Sequence, residues 1–239
     1  MSAPQPVAKS TGAVAAMFNG IAPRYDALNH LLSLGIDRLW RRRLVRQLAQ
    51  HEPQCVLDVA TGTADLAIAL ARRVPGVQIE GVDIAETMLS VGQQKLQREG
   101  LDQRIHLQCA SAMALPFADA QFDAAMVAFG VRNFERLEQG LAEMARVVRP
   151  GGRLLVLEFS MPRRAPFRQL YTFYFRRVLP VLGGIVSGHR QAYDYLPSSV
   201  LQFPQGEEFM ELMRRAGLSQ CTATRLTMGV ATLYSGCRG

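Results

Sequence analysis

Two residues set the first chemical expectation. Gly62 lies in the run VLDVATGTADLA, and Asp83 lies in GVDIA, 21 residues further on. A small residue where a strand turns into a helix lets a ligand approach the backbone closely. An acidic side chain at the end of the following strand can accept hydrogen bonds from both hydroxyls of a ribose. The GxGxxG fingerprint of dinucleotide binders is absent, and Ala60, Thr61 and Ala64 crowd the turn around Gly62. A pyrophosphate would meet those β-carbons, so a nucleoside without phosphates fits better. The expected cofactor is S-adenosylmethionine. A loop glycine and a buried aspartate also co-occur for structural reasons alone, so the pair needs support from elsewhere in the chain.

Those positions require elements to hold them. QCVLDVA, VQIEGVDI, RIHLQCA, FDAAMVAFG and RLLVLEF read as buried strands, with ADLAIALARRV, AETMLSVGQQKLQRE and RLEQGLAEMARVVR as helices between them. Continuous apolar strands separated by amphipathic helices require a mostly parallel sheet covered on both faces. Right-handed crossovers make this a doubly wound α/β, Rossmann-like fold. Ligands bind at the carboxyl ends of such strands, which is where Gly62, Asp83, Ser111 and Ala112 fall. CTATRLT and VATLYSG read as an antiparallel C-terminal hairpin at the sheet edge. Val14 to Gln50 is helical and broken at Gly35, while Ser160 to Pro204 interrupts the rhythm with an aromatic, basic, helical insertion. The expected organisation is a single domain: a helical N-terminal cap (1–53), a cofactor-binding core (54–160), a substrate insertion (161–204), and a C-terminal helix and hairpin (205–239).

Composition agrees with one folded unit. The 239 residues are 49% hydrophobic and 20% charged, which excludes disordered, collagenous and coiled-coil proteins. No uncharged apolar run approaches the ~18 residues of a membrane span, and no strong signal-peptide core is present. A cytoplasmic protein is expected. The four cysteines are far apart, with no CxxC and no adjacent histidine, so no metal site is expected. Cys55 and Cys109 sit in apolar strands and read as buried, reduced thiols. The formal charge is +7 and almost wholly arginine, the only lysines being Lys9 and Lys95. Arginines cluster at Arg38, Arg41, Arg42, Arg43 and Arg46, and again at Arg163, Arg164 and Arg168. Such clusters suit a solvated helix face, a nucleic acid or an anionic membrane surface.

The ordered set resembles the class I S-adenosylmethionine-dependent methyltransferases from Val56 to the C-terminus. AMFNGIAPRYDALNHLLSLGIDRLWRR, DVATGTADLA, ALPFADAQFD, FGVRNF and RPGGRLLVLEFSMP together resemble, more narrowly, the quinone C-methyltransferases of menaquinone and ubiquinone synthesis. The resemblance implies a class I methyltransferase sheet, S-adenosylmethionine as cofactor and a polyprenylated quinol as substrate. It puts the methionine end near Gly62 and Thr63, the ribose on Asp83, and adenine beside Ser111 and Ala112. The chain departs from the family at Thr61 and Ala64, which replace glycines. It departs again at Ala128, which lacks the hydroxyl many relatives carry, and at Ser111, which stands for an asparagine. SLGIDRLWRR is closer to the menaquinone-only members, so demethylmenaquinol is the expected substrate, with the ubiquinone-pathway benzoquinol as the other quinol.

Carbon methylation of a quinol needs its ring hydroxyl deprotonated, from a pKa of about 10 as in tyrosine. Arg132 and Asn133, after the fourth strand, are the catalytic candidates: Arg132 to stabilise the phenolate, Asn133 to orient the ring oxygen. Arginine stays protonated, so it does not act as the base; alternatively Arg132 pairs with a carboxylate to brace the loop. Tyr25, Asp26 and Asn29 lie in the lead-in that could close over the pocket. Asp26 is either a base or a helix cap. His189 has a suitable pKa but stands alone in the insertion. Tyr171, Tyr174, Tyr193 and Tyr195 either line a prenyl tunnel or fill core. A lipid-borne substrate makes the insertion and the Arg41–Arg43 cluster candidates for peripheral contact with the inner face of the plasma membrane. The alternatives are a methyltransferase of another small molecule and, from charge alone, a nucleic-acid-binding protein. The latter lacks an RNA-binding motif, an amine-methylating NPPY and a paired catalytic cysteine.

Overall fold

The computed structural model describes residues 10–33, 35–174, 177 and 190–239. His189, and much of the insertion around it, lies outside them.

Seven strands form one sheet: β1 (Cys55–Val59), β2 (Gln78–Asp83), β3 (Ile105–Cys109), β4 (Phe122–Ala128), β5 (Val148–Phe159), β6 (Leu218–Leu226) and β7 (Ala231–Arg238). Their spatial order is β3-β2-β1-β4-β5-β7-β6. The first five are parallel, and β7 pairs antiparallel with both β5 and β6. The expected hairpin is therefore present, but its second strand lies inward against β5 and only β6 is an edge. Strand order reverses between β1 and β4, which opens a crevice at their carboxyl ends.

Apolar runs explain why both faces are covered. Val56, Leu57 and Val59 of β1 and Leu154, Leu155, Val156 and Leu157 of β5 are all fully buried. One face is packed by α3 (Ile36–Ala49), α4 (Asp65–Arg73) and the Leu96 end of α5 (Glu86–Glu99), with Trp40, Leu44 and Leu48 on it. The other carries α6 (Leu137–Val147) and α9 (Glu207–Arg215), where Phe209 and Met213 meet Tyr234.

The lead-in forms α1 (Thr11–Ile21), a 3-10 turn over Ala22–Arg24, and α2 (Tyr25–Leu32), then reaches α3 through Gly35 in the left-handed region (φ 74°). From the insertion, α7 (Phe167–Phe173) and α8 (Arg190–Gln202) are described. Ile21 and Ala22 from the lead-in, Ala85 and Met88 by α5, and Val200 of α8 make a third, smaller apolar cluster. That cluster roofs the crevice.

Cysteine burial was misjudged from the sequence. Cys109 is exposed, and Cys55 is only half-buried. Cys109 ends β3, which is an edge strand, so an apolar run there does not imply cover on both sides.

Candidate functional site

The corner at the end of β1 is built around Asp83. One of its carboxylate oxygens accepts from the Gly62 N–H at 2.8 Å and the other from the Ala85 N–H at 2.9 Å. This ties the glycine turn to β2, and the carboxylate keeps acceptor capacity for a ribose hydroxyl. Burial pushes the Asp83 carboxyl above the usual carboxylate range, opposed by the N–H groups of Ala85, Gly62 and Ile84. Asp58 of β1 is fully buried; its carboxyl accepts from the Thr61 hydroxyl at 2.7 Å and is pushed up to about 7, chiefly by burial. The turn has left-handed backbone at Gly62 (φ 57°), and also at Ala60 (φ 53°) and Ala64 (φ 65°), where side chains make it costly.

Two cavities meet above this corner. The smaller, about 70 Å³, is lined by Asp83, Ile84, Ala112 and Met113 from the strand ends and by Ala128, Gly130 and Asn133 after β4. Thr11, Val14 and Phe18 of α1 close it from above. Its donor set suits an uncharged sugar and a flat base: one carboxylate, backbone groups and apolar walls, with no cation lining it for a phosphate. Its volume is far below that of a small-molecule site because α1 lies across it.

The larger cavity, about 470 Å³, is lined mainly by aromatic and aliphatic side chains of α1, α2, α3, α7 and α8. Its polar groups come in two sets. On one side Arg41 is paired with Asp37, which also accepts from the Ser33 hydroxyl at 2.7 Å; the Arg41 guanidinium lies 5.5 Å from the Phe129 ring centre. On the other, Arg132 donates to Glu158 at 2.8 Å and to the Phe129 carbonyl, and sits 5.4 Å from the Phe159 ring centre. Glu158 is completely buried and also accepts from the backbone N–H groups of Arg132 (3.2 Å) and Phe159 (2.8 Å). Arg132 Nε is buried with no hydrogen-bond partner. A buried, unpaired donor is costly.

Phe18, Tyr25 and Phe129 line both cavities. Phe129 is held at φ 61°, an outlier for a bulky residue, with its ring 4.4 Å from that of Phe159. Next along the chain, Arg132 lines the larger cavity and Asn133 the smaller. Asn133 accepts from the Tyr195 hydroxyl at 3.0 Å, and Tyr195 in turn lines the larger cavity. The Tyr25 hydroxyl is raised above its usual pKa by burial, against the opposing charge of Arg132 and a hydrogen bond with Asn29.

The sequence candidates thus divide. Asp83, Ala112, Asn133, Arg132 and Tyr25 converge on the two cavities. Gly62 and Thr63 line neither; they shape the turn. Ser111 lines neither as well, its hydroxyl accepting from the Met113 N–H at 3.3 Å within its own turn. Asp26 also faces away from both cavities: its carboxylate accepts from the Thr63 hydroxyl at 2.6 Å and from Lys95 at 2.9 Å. Lys95 also pairs with Asp65. A carboxylate so engaged is a clasp between α2 and the glycine turn, not a free base. Arg41 is internal, so the exposed part of its cluster is Arg42 and Arg43. Glu158, Trp40 and Lys95 were not among the candidates. Trp40 bridges α3 to the β6–β7 turn through Nε1 to the Thr227 hydroxyl at 2.7 Å. Glu158 did carry a signal, being the one charge in the otherwise apolar LLVLEF.

Comparison with known proteins separates fold from chemistry. The [4+2]-cyclase SpnF superposes with a TM-score of 0.72 at 18% identity, covering 98% of this chain and 97% of that one. A SAM-dependent methyltransferase of Thermotoga maritima, described as a possible histamine N-methyltransferase, gives 0.64 at 18%, covering 94% and 99%. Both likenesses concern the fold alone. In sequence, the demethylmenaquinone methyltransferase of Bacteroides fragilis is 47% identical over 95% of this chain and 93% of its own length. That of Thermus thermophilus is 49% identical over 93% and 100%. The ubiquinone/menaquinone biosynthesis C-methyltransferase UbiE of Geobacter sulfurreducens is 49% identical over 93% and 87%. With residues 6–238 matching its pattern, the chain belongs to the ubiE/COQ5 methyltransferase family.

Proposed function

We propose that the protein transfers a methyl group from S-adenosylmethionine to a ring carbon of a polyprenylated quinol, with demethylmenaquinol as its substrate. The observation that carries this reading is the junction of the cavities, where Arg132 and Asn133 face opposite sides of one aromatic partition. When bound, S-adenosylmethionine supplies an electrophilic methyl on a positively charged sulfur. The rest falls to the chain's own groups. Asp83 takes the ribose hydroxyls, with Ala112 and Met113 against the base. Thr11, Val14 and Phe18 of α1 close the smaller cavity and would have to give way to a nucleoside, so α1 would serve as a lid. The Arg132 guanidinium, fixed by Glu158, places a positive charge beside the apolar cavity and lowers the cost of deprotonating a quinol oxygen held there. Tyr25, kept neutral by burial, serves as a hydrogen-bond donor, and Asn133 orients the ring oxygen. The aromatic walls hold the ring against the partition and exclude water.

A long prenyl tail exceeds the larger cavity and must leave it past α7, the Thr227–Gly229 turn and the start of α3. On those same elements Leu39, Leu170, Phe173 and Met228 are exposed by 58%, 66%, 62% and 72%, Leu170 lining the cavity itself. Arg38, Arg42, Arg164 and Arg168 are exposed around it. Apolar tips ringed by arginines suit an anionic bilayer, so the mouth is read as resting on the inner face of the plasma membrane. No helix among the described residues is long and apolar enough to cross a membrane.

The activity is tested by incubating purified protein with S-adenosylmethionine and short-tailed demethylmenaquinol and following the product by mass spectrometry. Gene deletion with analysis of the quinone pool is the cellular counterpart. Accumulated demethylmenaquinone supports the reading and an unchanged pool refutes it. For the mouth, flotation with phosphatidylglycerol vesicles should weaken in Leu170→Ser/Phe173→Ser; flotation indifferent to anionic lipid would overturn that part alone.

A further inference from the structure

A second polar cleft, about 360 Å³, lies at the other end of α3, over the sheet face formed by β5, β7 and β6. Arg43 and Arg46 reach it from α3, His51 from the chain just beyond, and Arg153 from the middle of β5. No carboxylate lines it. Among the described residues, Arg43, Arg46 and Arg153 have no ion-pair partner, unlike Arg41 on the same helix. Three arginines gathered without a counter-charge repel one another, and beside them burial, with the charge of Arg153, holds the His51 pKa below the ordinary histidine value, which favours its neutral form.

The floor of the cleft is equally specific. The Ser235 hydroxyl lines it from β7, in a residue only 7% exposed, and takes no hydrogen-bond partner among the described residues. Opposite, β6 is bulged between Ser219 and Thr222, and Gln220 is held at φ 49°, so its side chain joins Thr222 on the cleft wall. The Ser235 hydroxyl, open to the cleft, is free to donate to a ligand, and strained non-glycine backbone such as that of Gln220 is a costly feature of the kind that gathers at ligand sites.

We infer that this cleft binds an oxyanion of the phosphate class, held by Arg43, Arg46 and Arg153 with Ser235, Thr222 and Gln220 as neutral donors. Arginine forks match phosphate oxygens in pairs, and neutral donors fill the remaining acceptor positions. The site is built from none of the residues that line the two cavities, so it stands apart from the methyl-transfer reading. The same chemistry is offered by soluble phosphate compounds and by phospholipid headgroups.

The test uses the full-length protein and inorganic diphosphate at constant ionic strength. Calorimetry should give saturable binding of one equivalent, and the Tm should rise by about 3 °C or more. Both effects should vanish in Arg46→Gln/Arg153→Gln. They should vanish as well in Arg43→Gln/Arg46→Gln, which alters only exposed positions of α3 and guards against misfolding. Quinol methylation by both variants should match the wild type, so failure here is distinguishable from failure of the catalytic reading. Unsaturable binding that merely follows ionic strength, or saturable binding that survives in both folded variants, would overturn the inference. In a parallel arm, phosphatidylglycerol vesicles displaced by diphosphate identify headgroups as the source; diphosphate binding with no such displacement identifies soluble phosphates.

Discussion

Cofactor affinity should rise with pH because of Asp58. Its carboxyl is buried beneath the glycine turn and pushed up to about 7, first by burial and further by the charge of Asp83, against the Thr61 hydrogen bond. With the proposed placement of the methionine end at the glycine turn, the cofactor would bring a sulfonium and an ammonium to this corner and bind best when Asp58 is ionised. With a free-protein pKa of 7, the ionised fraction grows from about 9% at pH 6 to about 91% at pH 8. The limiting gain in affinity is therefore about tenfold, worth about 1.4 kcal/mol. Without cofactor the sign reverses. A carboxyl raised on folding favours the folded state at low pH, and that contribution fades as pH climbs from the unfolded value through about 7. Asp58→Asn keeps the shape and the Thr61 hydrogen bond, so it should melt higher than wild type at pH 8 when empty. Calorimetry of S-adenosylmethionine binding at pH 6, 7 and 8, in two buffers of different ionisation heat, counts the protons released. Comparing wild type with Asp58→Asn cancels the titration of the cofactor's own amine. An identical pH slope in the two proteins would refute the argument.

Three further outcomes are expected. Glu158→Gln should spare cofactor affinity and lower kcat by at least about tenfold, because the Arg132 fork loses its anchor; Glu158→Ala leaves a buried charge unpaired and should cost about 3–5 kcal/mol in denaturant unfolding. Lys95→Met opens the clasp on Asp26 and should raise KM for S-adenosylmethionine roughly fivefold, the equivalent of about 1 kcal/mol, with faster amide exchange in α2. Ala64→Gly removes a β-carbon from left-handed backbone at the start of α4 and should raise stability by about 1 kcal/mol, seen as a higher Tm.

The fold and the meeting of Gly62 with Asp83 were legible because local signals and tertiary role coincide there. The apolar run VLDV can only be a strand covered on both faces, and an aspartate closing the next strand has one place to point. The substrate side was less legible. Asp26 looked like a lid carboxylate with capping or basic chemistry, yet its partner Lys95 lies 69 residues away on α5, a pairing no local pattern announces. Arg41 read as one of a solvated cluster because its neighbours are arginines. On a helix, though, consecutive residues point about 100° apart, and this one turns inward onto Phe129 and Asp37. Arg132 had two readings, anion stabiliser or loop brace; the structure shows the carboxylate pair of the second, with Glu158, at a residue that also lines the larger cavity.

The likeness to a [4+2]-cyclase across almost the whole chain shows how little the sheet itself decides about chemistry. What the fold supplies is a crevice between β1 and β4 and a loop after β4 that overlooks it. Specificity resides in what that loop and the added helices contribute. In this chain the loop carries an arginine whose charge would be ruinous in an apolar cavity without Glu158, and Glu158 would be equally costly in β5 without the arginine. Removing either charge alone strands the other in the interior, so the pair behaves as a single character. A relative that keeps the cofactor corner but replaces both residues with apolar ones would retain its fold and its nucleoside, and would lose the means to hold an oxyanion beside the methyl group. Building that double replacement here, Arg132→Met with Glu158→Leu, should therefore leave Tm equal to or above wild type while abolishing quinol methylation with cofactor affinity intact. Retained methylation in the double variant would move the phenolate to other groups of the cavity.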